Sequence, residues 1–217
     1  MDPFGECALY LITDRSLSRG RSTTDVVREA LAGGVDVVQL RDKEVETADV
    51  VLEGLRVHEI TARHGVPLIV NDRLDVALAI EAEGAHVGQT DLSAPMARKL
   101  LPPPALLGVS TSSVDMARSA QQQRADYVGF GPIFRTATKE TAASPRGAAM
   151  MQDVLQAIDI PLVALGGISG HNVAEVIEAG ANHVAVCSAI VAADDVRRAA
   201  ATLKESMLRA QARRSVS

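Results

Sequence analysis

VNDRLDVALAIEAEGAHVGQTD, residues 70–91, contains two short apolar stretches, each followed by an acid. Asp72 follows the run PLIV with one Asn between, and Asp91 follows AHVG after Gln and Thr. Between them LDVALAIEAE repeats its apolar residues at helical spacing. The unit therefore reads as strand, helix, strand, with an acid at the same end of each strand. Either acid alone could cap a following helix, Asp72 one starting at Arg73 and Asp91 the segment SAPMARKLL. As a pair on neighbouring strands they favour a shared cation, because two close carboxylates repel unless a proton or a cation lies between them.

The same unit recurs on both sides. Apolar runs LYLIT (9–13), VDVVQL (35–40), PLIV (67–70), AHVG (85–88), LLGVS (106–110), DYVGFG (126–131), PLVALGG (161–167) and HVAVCSA (183–189) give eight candidate strands. They are β-branched, too short for helices and do not alternate, as parallel strands buried on both faces should not. Helical patterns separate them, among them TTDVVREALAG with Thr23 or Thr24 as cap and TADVVLEGLRVHEITARHG with Thr47 as cap. Eight such units in 217 residues fit a single-domain α/β fold, the (β/α)8 TIM barrel, better than an open sheet. The barrel is expected over residues 1–208, with 209–217 a frayed tail. The longest irregular stretch, 135–147, is the kind of loop that carries function and is expected to close over substrate.

Composition narrows the class. Hydrophobic residues make up 47% and charged residues 23%, enough apolar material for a large core. Aromatic content of 2%, no Trp and a net charge of −5 argue against a nucleic-acid or anionic-membrane surface. Cys7 and Cys187 make no disulfide framework, and no signal peptide or spanning apolar run is present, so the cytoplasm is the expected location. Homo-oligomerisation is left open.

In such a barrel, chemistry belongs to the C-terminal ends of the strands. There the chain carries Thr13-Asp14, then Gln39, Arg41 and Lys43 at alternate positions, then Asn71-Asp72, Asp91, Ser110 and a Thr-rich loop with Lys139. Gly166-Gly167 and Cys187-Ser188 follow the last two strands, where barrels hold phosphate. The opposite ends read as plain turns. Asp72 and Asp91 amid these cations point to Mg2+, which takes one or two carboxylates and completes its shell with phosphate and water oxygens. The site is thus expected to hold two phosphorylated groups. Asp42 and Glu44 alternate with the cations and are expected to face the helix layer or solvent. All five histidines read as structural, and no nucleophile–base pair is visible.

These residues resemble one family over nearly the whole chain: QLRDK, VNDRLDVALAIEAEGAHVGQTD, GVSTS, DYVGFGPIFRTATK, PLVALGGIS and CSAI, in this order, are similar to thiamine-phosphate synthase. The resemblance implies a barrel enzyme that joins 4-amino-2-methyl-5-(diphosphooxymethyl)pyrimidine to thiazole phosphate, plain or carboxylated, and releases pyrophosphate through a carbocation-like step. It implies that Gln39, Arg41, Lys43, Asn71, Ser110 and Lys139 hold the pyrimidine diphosphate, with Arg41, Lys43, Lys139 and Ser110 acting in catalysis. By the same resemblance Asp72 and Asp91 bind Mg2+, and Thr136, Thr138, Gly167, Cys187 and Ser188 hold the thiazole phosphate. Relatives usually carry Arg-Glu-Lys where Asp42 stands here, prolines where Arg135 and Ala137 stand, and often His at Ser112. Two rivals are weighed: a thiazole tautomerase on the same barrel, which needs neither acid, and a non-catalytic regulator that keeps only the phosphate pocket.

Overall fold

The computed structural model describes residues 3–42, 45–136 and 144–215. Its elements run β1 (Leu9–Ile12), α1 (Thr23–Ala32), β2 (Val37–Leu40), α2 (Thr47–Arg63), β3 (Leu68–Asn71), α3 (Leu74–Ala79), β4 (Gly84–Val87) and α4 (Ala94–Leu100). They continue with β5 (Leu106–Thr111), α5 (Val114–Gln122), β6 (Tyr127–Phe130), α6 (Gly147–Ala157), β7 (Leu162–Leu165), α7 (Val173–Glu178), β8 (His183–Val186), α8 (Ser188–Val191) and α9 (Val196–Arg214). The strands pair in parallel in sequence order, and β8 pairs back onto β1, closing the (β/α)8 barrel. Residues 70–91 are the unit expected of them, from the end of β3 through α3 and β4 into the following turn.

The absence of alternation along the runs has a plain physical cause: the strands bury both faces in separate cores. Leu9, Leu11, Val38, Leu40, Leu68 and Val70 point outward and pack under the helices in one large apolar cluster. Tyr10, Val37, Ile69, Tyr127, Val163 and Ala185 point inward and fill the barrel. With no Trp and few aromatics, that interior depends on two tyrosines for bulk, and Phe4 closes over Tyr127 edge-on with ring centroids 4.9 Å apart.

Local expectations needed three corrections. Helix α1 is capped by Ser22, whose side chain accepts from the Asp25 N–H, rather than by Thr23 or Thr24. Thr47 is the first residue of α2, and Glu46 occupies the cap position without a side-chain bond. Helix α9 continues past 208 to Arg214, because Ala210 is buried and the Arg214 guanidinium donates to the Ile177 and Ala181 carbonyls at 2.7 and 3.0 Å. Among the described residues, no helix is long and apolar enough to cross a membrane.

Candidate active site

The C-terminal ends of the strands surround a cavity of about 400 Å3. On its β1–β2 side stands Arg41. Its backbone N–H donates to Thr13 Oγ1 at 3.0 Å, and its guanidinium Nη1 lies 2.6 Å from Asp14 Oδ2. Both side chains of that ion pair are largely covered, at 16% and 12% exposure, so the guanidinium is held rather than swinging in solvent. Asp42 turns the other way, 3.1 Å from Arg15 Nε, and Arg15 in turn reaches Glu53 on α2. The expectation that Asp42 faces the helix layer agrees with this geometry. Gln39 is buried and points inward from β2, lining the cavity.

Asn71, Asp72 and Asp91 line the same cavity. Asp72 has φ +61°, left-handed backbone that Asp tolerates better than most residues, and its N–H donates to the His86 carbonyl at 2.8 Å. Asp91 Oδ2 accepts from the Gly88 N–H at 2.7 Å, a local turn that fixes the carboxylate over β4. Neither acid caps a helix: Arg73 holds that position for α3 and Ser93 for α4. The reading of the two acids as caps therefore falls away.

Across the cavity, β7 is followed by Gly166 and Gly167, with φ +96° and +67°. A Cβ at Gly167 would come within 2.5 Å of the Arg135 carbonyl, so glycine lets the chain after β6 cross directly over it. Thr136, Cys187 and Ser188 complete this side, with Cys187 at the cap position of α8. Burial, reinforced by the nearby charge of Asp14 and opposed by Arg41, pushes the Cys187 thiol up to about 12. It stays protonated, which removes it as a nucleophile. Lys43, Thr138 and Lys139 lie outside the described residues.

Three cavity residues were not foreseen. His86, read from sequence as structural, instead stands in the cavity wall with Nε2 2.9 Å from Ser110 Oγ. Tyr10 and Tyr127 also reach the cavity floor from inside the barrel. Asp14 was visible only as a polar strand end, and its pairing with Arg41 required the β1–β2 register. By contrast His183, whose Nδ1 accepts from the Ala8 N–H at 3.2 Å, is buried and structural as expected.

A closed parallel barrel with its polar side chains gathered around one cavity at the carboxyl rim is an enzyme of the (β/α)8 class. The model of the thiamine monophosphate synthase family matches residues 9–190, and the chain belongs to that family. Thiamine-phosphate synthase of Chloroflexus aurantiacus is 50% identical over 196 residues, covering 90% of this chain and 90% of its own. That of Moorella thermoacetica is 48% identical over 203 residues, covering 94% and 97%. The solved thiamine phosphate pyrophosphorylase from Pyrococcus furiosus superposes with a TM-score of 0.87 at 34% identity, covering 94% of this chain and 97% of that one. The chain is accordingly a transferase of thiamine biosynthesis, and its reaction condenses the pyrimidine diphosphate with thiazole phosphate to give thiamine phosphate.

Proposed function

We propose that the cavity binds the two substrates at opposite sides and that catalysis is electrostatic. The observation that carries this reading is the separation of the donors. Arg41, Asn71, Asp72, Asp91 and Ser110 come from β2 to β5, whereas Thr136, Gly167, Cys187 and Ser188 follow β6 to β8. The first group, with Gln39, Lys43 and Lys139, takes the pyrimidine diphosphate. The second, with Thr138, takes the thiazole phosphate.

The chemistry asks for no base. The bond between the pyrimidine methylene and the diphosphate oxygen breaks with its electron pair leaving on diphosphate. The thiazole nitrogen lone pair then forms the new carbon–nitrogen bond, and no proton need be removed. Arg41, steadied by Asp14, and the Ser110 hydroxyl stabilise the charge that gathers on the departing diphosphate, together with Lys43 and Lys139. Holding the thiazole phosphate at its own side supplies the orientation that makes attack effectively intramolecular.

The donor set fits Mg2+. Asp72 and Asp91 supply two carboxylates beside the diphosphate side, and among the described residues no group of three or more His, Cys, Asp or Glu forms a closed metal cage. That pairing suits an ion that completes its shell with phosphate and water oxygens. When bound there, Mg2+ neutralises charge on the diphosphate. The two unpaired cysteines accord with a reducing compartment, the cytoplasm.

The test is to incubate both substrates with Mg2+ and measure pyrophosphate. Release is expected only with both substrates and is expected to collapse in Asp72→Ala and Asp91→Ala. Release unaffected by both substitutions would remove the metal role.

A further inference from the structure

Five polar side chains run in an unbroken hydrogen-bonded line across the barrel, along the floor and wall of the cavity. Gln39 Nε2 donates to Tyr10 Oη at 2.9 Å, and Tyr10 Oη lies 3.0 Å from Tyr127 Oη. Tyr127 Oη lies 3.1 Å from His86 Nδ1, and His86 Nε2 lies 2.9 Å from Ser110 Oγ. The line joins β2, β1, β6, β4 and β5, and four of its bonds cross the barrel interior.

Proton counting gives the line a direction. A phenol has one proton to donate. Tyr10 accepts from Gln39, and the acceptor left within reach of its own buried proton is Tyr127 Oη. Tyr127 therefore accepts from Tyr10 and gives its own proton to His86 Nδ1. With Nδ1 an acceptor, the ring carries its proton on Nε2 and donates it to Ser110 Oγ. Ser110 Oγ then accepts from the ring, which leaves its own proton to turn toward the cavity. Both phenols hold their protons because full burial raises them well above the ordinary tyrosine range.

The barrel makes room for this line. A Cβ at Gly108 would sit 2.1 Å from Tyr127 Cζ and 2.4 Å from His86 Nδ1, and one at Gly129 would sit 2.9 Å from His86 Cε1. Glycine on β5 and β6 thus leaves the two rings free to meet.

We infer that His86 is a positioning residue: fixed in the Nε2–H tautomer by Tyr127, Tyr10 and Gln39, it orients the Ser110 hydroxyl as a donor to the anionic diphosphate. The inference rests on the reading of Ser110 as a ligand of that diphosphate. The opposite polarity would leave the buried Tyr10 proton without an acceptor unless the Gln39 carbonyl faced it, and would make Ser110 donate to the ring, away from the substrate.

Two measurements decide it. Side-chain 15N NMR of the full-length protein is expected to show His86 as the Nε2–H tautomer, and to lose that fixed state in Tyr127→Phe. A His86 found as Nδ1–H in the parent overturns the inference. The second is a double-mutant cycle on kcat/KM for the pyrimidine diphosphate. His86→Asn is expected to lower it about tenfold, the worth of one hydrogen bond to a charged group. On a Ser110→Ala background the same change is expected to cost less than about twofold. His86→Gln, whose amide reaches the Nε2 position, is expected to recover most of the loss and controls for misfolding. Additive losses overturn the inference while leaving Ser110 as a ligand. A Ser110→Ala variant with parental kcat/KM removes the ligand role itself, and the inference with it.

Discussion

The Arg41 guanidinium lies 2.6 Å from the Asp14 carboxylate, so the cation at the rim of β2 is held in place from the turn that follows β1. Removing that partner leaves a largely covered arginine free to choose other geometries. Asp14→Asn keeps the size of the side chain and removes its charge. A loss of about tenfold in kcat/KM is expected, about 1.4 kcal/mol, most of it in KM for the pyrimidine diphosphate. Arg41→Ala should cost more, since it deletes the cation rather than loosening it. Parental steady-state kinetics for Asp14→Asn would show that the pair has no part in positioning.

Asp72 combines a left-handed backbone with a proposed metal role, and the two can be separated. An L-residue without a local side-chain hydrogen bond is strained by about 1 kcal/mol in that conformation, whereas glycine is not. Asp72→Gly should therefore unfold at higher urea than Asp72→Ala, by about 1 kcal/mol in free energy. Both should lose Mg-dependent pyrophosphate release to the same degree. If the glycine variant keeps its activity, Asp72 serves the turn and not the metal.

Gly167 tests the division of the cavity. Alanine there meets both a strained φ of +67° and the Arg135 carbonyl, so the chain crossing over it must shift. The expected result is a rise of about tenfold or more in KM for thiazole phosphate, with KM for the pyrimidine diphosphate changed less than about twofold. Equal changes in both would contradict two separate sides.

Much of this molecule is legible in its sequence because barrels repeat one rule. Each run such as PLIV or AHVG is apolar on both faces, and its polar residues fall just past its C-terminal end. That pattern alone locates Arg41, Asp72, Asp91 and Ser110 at one rim. What stays hidden depends on register and on the inward face. Tyr10 and Tyr127 look like ordinary core aromatics until closure of the barrel brings their hydroxyls to 3.0 Å. His86 sits one residue after Ala85 in an apolar run, and only the pairing of β4 with β5 aligns it with Gly108 and beside Ser110. Gly108 and Gly129 were the available signal, since a glycine within a strand often marks the close approach of another group. The caps failed for a smaller reason: Ser22, Thr23 and Thr24 all suit the position, and the backbone chose among them.

Cys187 makes the alkaline side of the stability curve predictable. Folding raises its thiol from an ordinary value near 9 to about 12, chiefly through burial. Below pH 9 the thiol is protonated in both folded and unfolded chains, and its contribution is constant. Above pH 9 the unfolded chain releases a proton that the folded chain retains, so stability falls by up to about 1.4 kcal/mol per pH unit until the folded pKa is reached. Tyr10 and Tyr127, also raised by burial, add the same sign from about pH 10 upward. Urea unfolding at pH 8, 9.5 and 10 should therefore show a steepening loss, and Cys187→Ala should reduce it between pH 9 and 10, leaving the part that Cys7, also raised by burial, contributes with the same sign. The raised thiol likewise predicts that at pH 8 Cys187 in the native protein is alkylated more slowly than in the urea-unfolded chain. Rapid native alkylation at that residue, followed by mass spectrometry, would overturn the assignment of Cys187 as a partly buried, protonated wall of the cavity.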